Sequence, residues 1–198
     1  MSGQSTQQRM PDASARKMVP DRLAHIVFKT ADKNRLMDWY GKVLNAHVVF
    51  QNDFIGFLTY DDEHHRIAFI QIPGLEPNSG KSMGLHHVAF TYATMDDLIA
   101  NYERLRDSGV RPAHCVNHGP TTSMYYSDPD GNSVELQIDN FATNDEVDTW
   151  FASGEFAENP IGADFEPDDL AAKFHSGVPE SELKKRPNIG PRGLPVRK

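Results

Sequence analysis

The sequence predicts an α+β fold made of two β-α-β-β-β units with a C-terminal extension, and three observations predict it. The chain repeats itself. Laid over itself at an offset of 62 residues, Leu23 meets Leu85, His25 meets His87, Phe28 meets Phe90, Leu36 meets Leu98, Tyr40 meets Tyr102 and Val48 meets Val110. Each copy reads as one strand pattern, one stretch of helical spacing and three further strand patterns. Past residue 140 the repeat stops, and residues 145–198 hold six of the thirteen prolines.

In the first copy LAHIVFKT is a short β-branched strand. Leu36, Met37, Tyr40, Val43 and Leu44 follow at helical spacing, so residues 32–44 form an amphipathic helix with Asp32 as its N-cap. Strands are expected at about 46–51, 54–60 and 65–72, separated by the turn-forming pairs Asn52-Asp53 and Asp61-Asp62. In the second copy LHHVAFTY is the strand, Thr94 the N-cap, Met95 to Ser108 the helix and Gly109 its stop. Strands near 112–117, 121–127 and 132–138 complete it, the last two joined by the turn Asp128-Pro129-Asp130-Gly131. Short helices are expected at Asp145–Ala152 and Asp168–Phe174. The last fifteen residues carry six basic side chains and no acid, which reads as a solvated tail or as an arm packing on a second subunit.

These elements organise the chain into a flexible N-terminal arm (1–20), a repeat domain (21–140, units about 21–75 and 83–140) and the extension (141–198). Twenty basic against 28 acidic residues leave a net charge of -8, so neither nucleic acid nor an anionic membrane is expected as a partner. No apolar run is long enough for a membrane span, and the first twenty residues lack a signal-peptide core, as expected of a cytoplasmic protein. The single cysteine, Cys115, excludes a disulfide framework and a cysteine-rich metal site. Nine histidines remain, so any metal must be held by imidazole and carboxylate.

The repeat sorts those histidines. His25 and His87 are each the third residue of the first strand of their copy, so both point to the same side of their sheets, and His86 points the other way. Glu135 interrupts the apolar strand SVELQI, where a carboxylate is costly unless paired or bound to a cation. Two imidazoles and one carboxylate form the set that leaves open positions on non-haem Fe(II). A lone strand histidine is also a common structural group.

Both units resemble the βαβββ modules of the vicinal oxygen chelate superfamily, and DPDGNSVEL resembles its closing turn and last ligand strand. Glu63 to Ala68, Leu85-His86-His87 and the stretch His118 to Glu135 together resemble the type I extradiol, catechol-cleaving dioxygenases of one-domain type. The resemblance covers residues 21–140. It implies Fe(II), with Mn(II) as the other metal the set accepts, on His25, His87 and Glu135. It further implies an acid–base histidine at His65, an active-site tyrosine at Tyr125, a further active-site histidine at His118 and a pocket aromatic at Phe57. The stretch HGPTTSMYY around His118 is shorter than in two-domain relatives.

The reaction so implied joins a catechol and O2, with His65 as proton donor during O–O cleavage and Tyr125 hydrogen-bonded to the substrate oxygen. A homo-oligomer is expected. Two rival readings stand beside it. A glyoxalase-like isomerase or lyase is resisted by Ala68, because that branch carries a glutamate on the last strand of the first module. A non-enzymatic binding protein of the resistance type would more often have lost a ligand.

Overall fold

The computed structural model describes residues 18–81 and 83–193. The arm expected over residues 1–20 lies outside the described residues up to position 17, as does the end of the basic tail, residues 194–198.

The first unit runs β1 (Ile26–Thr30), α1 (Lys33–Leu44), β2 (His47–Gln51), β3 (Ile55–Thr59) and β4 (Ile67–Gln71). Its sheet has the order β1-β4-β3-β2, with β1 and β4 parallel and the other pairs antiparallel. The second unit repeats this with β5 (His87–Thr91), α2 (Met95–Asp107), β6 (His114–Asn117), β7 (Thr121–Ser127) and β8 (Ser133–Asp139) in the order β5-β8-β7-β6. Both helices start where expected: the Asp32 carboxylate accepts from the Arg35 N–H at 3.1 Å, and the Thr94 hydroxyl from the Asp97 N–H at 3.0 Å.

Helical spacing decides which face each helix buries. Leu36, Met37, Tyr40, Val43 and Leu44 of α1 and Leu98, Ile99, Tyr102 and Leu105 of α2 are buried on their own sheets. Each such aliphatic side chain contributes about 1.5–3 kcal/mol when fully buried. The two helix-covered faces merge into one core that spans both units. Polar contacts lock the units at this junction. The Tyr40 hydroxyl donates to Asp128 at 3.1 Å, Arg35 pairs with Asp130 at 2.6 Å, and Arg104 and Asn101 of α2 donate to the carbonyls of Lys42 and Val43.

The extension contains α3 (Asn144–Ala152), α4 (Glu155–Glu158), β9 (Ala163–Asp164), α5 (Pro167–His175) and α6 (Glu180–Leu183). It packs on the second unit of its own chain. β9 adds antiparallel to the edge of β6, and Asp168 receives Tyr102, Arg106 and Arg111 at 2.7, 3.1 and 3.1 Å. The basic stretch is therefore not a solvated tail in its described part. Arg186 lies 4.9 Å over the Trp150 ring and donates to the Asn159 carbonyl at 2.8 Å, while Arg192 reaches Asp164 at 2.9 Å. Buried carbonyls and an aromatic face hold those guanidinium groups, which a charge count cannot reveal. Among the described residues no helix is long and apolar enough to cross a membrane.

Candidate metal centre

Strand alternation leaves each sheet one open face opposite its helix. On the second sheet that face carries His87 and Ala89 of β5, Glu135 of β8, Tyr125 of β7 and His114 of β6, because Ala89 pairs with Glu135, Glu135 with Tyr125 and Tyr125 with His114. His87 Nε2 lies 3.0 Å from Glu135 Oε2, and Glu135 is only 4% exposed. Tyr125 stacks on the His114 ring at 4.4 Å and meets the His87 ring edge-on at 5.5 Å.

His118 closes this group from the β6–β7 turn. Its Nδ1 lies 2.5 Å from the Ile161 carbonyl, and its Nε2 2.9 Å from the Tyr125 hydroxyl. A carbonyl accepts only, so Nδ1 carries the proton and Nε2 of the neutral ring accepts from the tyrosine. Burial pushes the His118 pKa below its ordinary value, which keeps the ring neutral. Burial, and then the nearby Glu135 charge, push the Tyr125 phenol far up, so it stays a donor. The extension thereby sets the tautomer of a residue in the repeat domain.

The open face of the first sheet carries the other candidates. His25 lies just ahead of β1, exposed, with its ring 4.4 Å from that of His65. His65 lies on the loop before β4, stacked on Phe57 at 4.3 Å and 12°. His65 Nδ1 is 2.6 Å from His64 Nδ1. Desolvation, and then the neighbouring His25 and His64, lower the His65 pKa.

The registers make the two faces equivalents of one another. Val27 pairs with Ala68 as Ala89 pairs with Glu135, so Ala68 occupies in the first sheet the position of the carboxylate in the second. Phe57 opposes Ala68 as Tyr125 opposes Glu135, and Phe50 opposes Phe57 as His114 opposes Tyr125. Sequence reasoning did not single out His114 or Ile161. The expected strands near 112–117 and 121–127 already implied the hairpin, and only its register, which pairs His114 with Tyr125, brings His114 to the site. Ile161 carried no signal, since its carbonyl does the work.

The structure thus gathers the expected residues in two places. His87, Glu135, Tyr125 and His118 stand together, and His25, His65 and Phe57 stand together. His87 and the buried Glu135 fit a divalent ion as two of its donors. His25 makes its ring contacts with His64 and His65 instead. Among the described residues, no group of three His, Cys, Asp or Glu side chains is close enough to hold a metal.

Comparison with known proteins places the geometry in context. Residues 22–136 match the family described as the Glyoxalase/Bleomycin resistance protein/Dioxygenase superfamily. The chain is 49% identical over 170 residues to biphenyl-2,3-diol 1,2-dioxygenase 3 of Rhodococcus globerulus, covering 85% of this chain and 90% of that protein. It is 43% identical over 163 residues to biphenyl-2,3-diol 1,2-dioxygenase 2 of the same organism, covering 82% and 86%. A glyoxalase/bleomycin resistance protein/dioxygenase domain from Frankia sp. EAN1pec shares the fold, with a TM-score of 0.52 at 18% identity over 61% of this chain and 99% of that one.

Proposed function

The chain belongs to the glyoxalase/bleomycin resistance protein/dioxygenase superfamily, and we propose that it is an extradiol ring-cleaving dioxygenase acting on a catechol of the biphenyl-2,3-diol class. It inserts both atoms of O2 into the aromatic ring beside the two hydroxyls. The observation that carries this reading is the 49% and 43% identity to two such enzymes over most of each chain. The buried His87–Glu135–Tyr125–His118 cluster supports it, because a carboxylate so placed calls for a cation.

The metal of this reading is Fe(II), with Mn(II) accepted by the same donors. His87 and Glu135 would hold it. His25, the third ligand that the family resemblance implies, stands apart from them within the chain, beside His64 and His65. When bound, such an ion supplies chelation of both catechol oxygens and an open position for O2. The chain's own residues do the rest. Tyr125 presents its hydroxyl beside the carboxylate, and the His118 Nε2 that accepts from it fixes its direction. His118 in turn is held by the Ile161 carbonyl, so the Tyr125 oxygen is already oriented, with its lone pairs free to accept from a substrate hydroxyl. His65 moves a proton between its Nε2 and a substrate oxygen, its Nδ1 being turned toward His64. The Phe57 ring under His65 holds that imidazole flat and presents an apolar edge to the aromatic substrate.

Ala68 separates this reading from an isomerase. It is 2% exposed and level with Glu135 in the repeat, so the first sheet offers no carboxylate as a fourth ligand.

The test is anaerobic reconstitution with Fe(II) followed by air and a panel of 2,3-dihydroxybiphenyl, catechol and methylcatechols. The expected result is oxygen uptake equal to the catechol consumed, with a yellow semialdehyde product. Absence of oxygen uptake with every catechol refutes the activity.

A further inference from the structure

The Ile161 carbonyl that fixes the His118 tautomer lies 43 positions away in sequence, and other side chains of the extension hold it in place. Asn159, 3% exposed, ties its loop from within. The Asn159 Oδ1 accepts from the Ile161 and Gly162 N–H groups at 3.2 and 2.7 Å, and its Nδ2 donates to the Gly162 carbonyl at 3.1 Å. The backbone carbonyl of Asn159 in turn accepts from Arg186 Nη1 at 2.8 Å. The same Nη1 reaches the carbonyl of His118 itself at 3.5 Å, while Nη2 donates to the Glu155 carbonyl at 3.1 Å. Beneath the guanidinium lies Trp150, whose ring stands so close to the β6–β7 turn that a Cβ on Gly119 would meet it at 2.2 Å. Just before Arg186, the Lys184 carbonyl accepts from the Asn117 side chain at 3.0 Å, which fastens this stretch beside His118.

From this convergence we propose that Arg186 is a positioning residue of the His118–Tyr125 pair. One guanidinium holds the His118 backbone and the loop that carries the Ile161 carbonyl, so the imidazole and the acceptor of its Nδ1 proton keep a fixed separation. The Arg186 side chain is 6% exposed, as this placement between two segments requires. Arginine suits the position because its rigid, always charged fork can donate to carbonyls of two segments and stack on a ring at once. A lysine ammonium is a compact point charge that cannot span them. Without the fork the loop is free to withdraw, and His118 is free to carry its proton on Nε2 instead. Tyr125 then loses the acceptor that aims its hydroxyl. The inference rests on the dioxygenase reading for its effect on turnover, and on the structure for its effect on the tautomer.

The test compares full-length wild type with Arg186→Ala and Arg186→Lys. Long-range proton–nitrogen NMR of histidine-labelled, metal-free protein at neutral pH reads which His118 nitrogen carries the proton, with His118→Gln to assign the signal. Oxygen uptake by the Fe(II)-loaded protein with 2,3-dihydroxybiphenyl reads kcat and KM, and elemental analysis counts the iron. Wild type is expected to show the Nδ1–H tautomer alone. Arg186→Ala is expected to show both tautomers, with kcat lowered about 10–10²-fold and KM and iron content unchanged. Methylguanidinium added to that variant restores both readouts, and methylammonium does not. Arg186→Lys shows the same two losses, and it carries the test if circular dichroism finds the alanine variant unfolded.

A folded variant that melts lower yet keeps the single Nδ1–H tautomer and the wild-type kcat makes Arg186 a structural staple and overturns the proposal. A mixed tautomer at wild-type kcat overturns it as well, since His118 would then need no positioning. If wild type consumes no oxygen with any catechol, the dioxygenase reading fails, and the tautomer comparison still decides the link between Arg186 and His118.

Discussion

Replacing Gly162 by alanine strikes the joint between the extension and the centre. Gly162 has φ +108°, and a Cβ there would stand 2.3 Å from the Asn117 carbonyl oxygen and 2.9 Å from His118 Cα. The loop cannot easily move aside. The Asn159 side chain bonds both the N–H and the C=O of Gly162, and Arg192 donates to the same carbonyl at 3.1 Å. The left-handed backbone alone penalises alanine by about 1–2 kcal/mol. Overlap with the backbone of β6 adds about 1–3 kcal/mol. For a domain of this size each kcal/mol lowers Tm by roughly 2–4 °C, so Gly162→Ala melts roughly 4–20 °C below wild type. Gly154→Ala is the control, with φ +90° and nothing within 4 Å of the added carbon. It carries only the backbone penalty, about 2–8 °C. Differential scanning calorimetry on both variants decides the matter. Equal losses in the two refute the steric argument. The Gly162 variant should also lose turnover that the Gly154 variant keeps, because the adjacent Ile161 carbonyl no longer meets His118.

Other outcomes follow from the same contacts. Tyr125→Phe removes the hydroxyl between His118 and the substrate, so kcat falls by about 10²-fold while metal content, measured by elemental analysis, stays at the wild-type level. Asp168 is held down to about 2, below its ordinary 3.8, by hydrogen bonds from Tyr102 first and then Arg106 and Arg111. A depressed carboxylate stabilises the fold above its unfolded pKa and loses that contribution as pH falls toward the folded one. The Tm gap between wild type and Asp168→Asn is therefore full near neutral pH and closes as pH drops from 3.8 to about 2, which a pH series of thermal melts reads directly. Tyr40→Phe deletes the hydroxyl bonded to the buried Asp128 between the two units, a loss of about 1–3 kcal/mol in urea unfolding at unchanged slope.

Much of the fold was legible because its signals are local. Asp32 and Thr94 cap their helices as their side-chain chemistry requires. The period of the apolar residues assigned α1, α2 and their buried faces, and the Asp128 to Gly131 turn marked a hairpin. The repeat ranked His25 and His87 together, and the β-sheet registers align Ala68 and Glu135 as structural counterparts, while His25 lies just ahead of β1 and His87 opens β5. The extension was less legible. β9, α4 and α6 are four residues or fewer, too short to impose a period, and they exist because β6 offers an edge and Trp150 a face. Arg186 looked like solvated charge because nothing near it in sequence announces that Trp150 and the Asn159 carbonyl will meet it. His114 stayed unassigned for a related reason, since its partner Tyr125 lies across a hairpin.

The sequence by itself determined the units, their strand and helix order and the residue types on each face. These depend on side-chain period and capping within a few turns of chain. Only the tertiary structure decided which faces meet. The balance between burying α1 and α2 in one core and joining the two open sheets is set by contacts between residues dozens of positions apart, Tyr40 with Asp128 among them. That balance leaves His25 on one surface and His87 with Glu135 on another, so residues that align perfectly in the repeat lie apart in the chain.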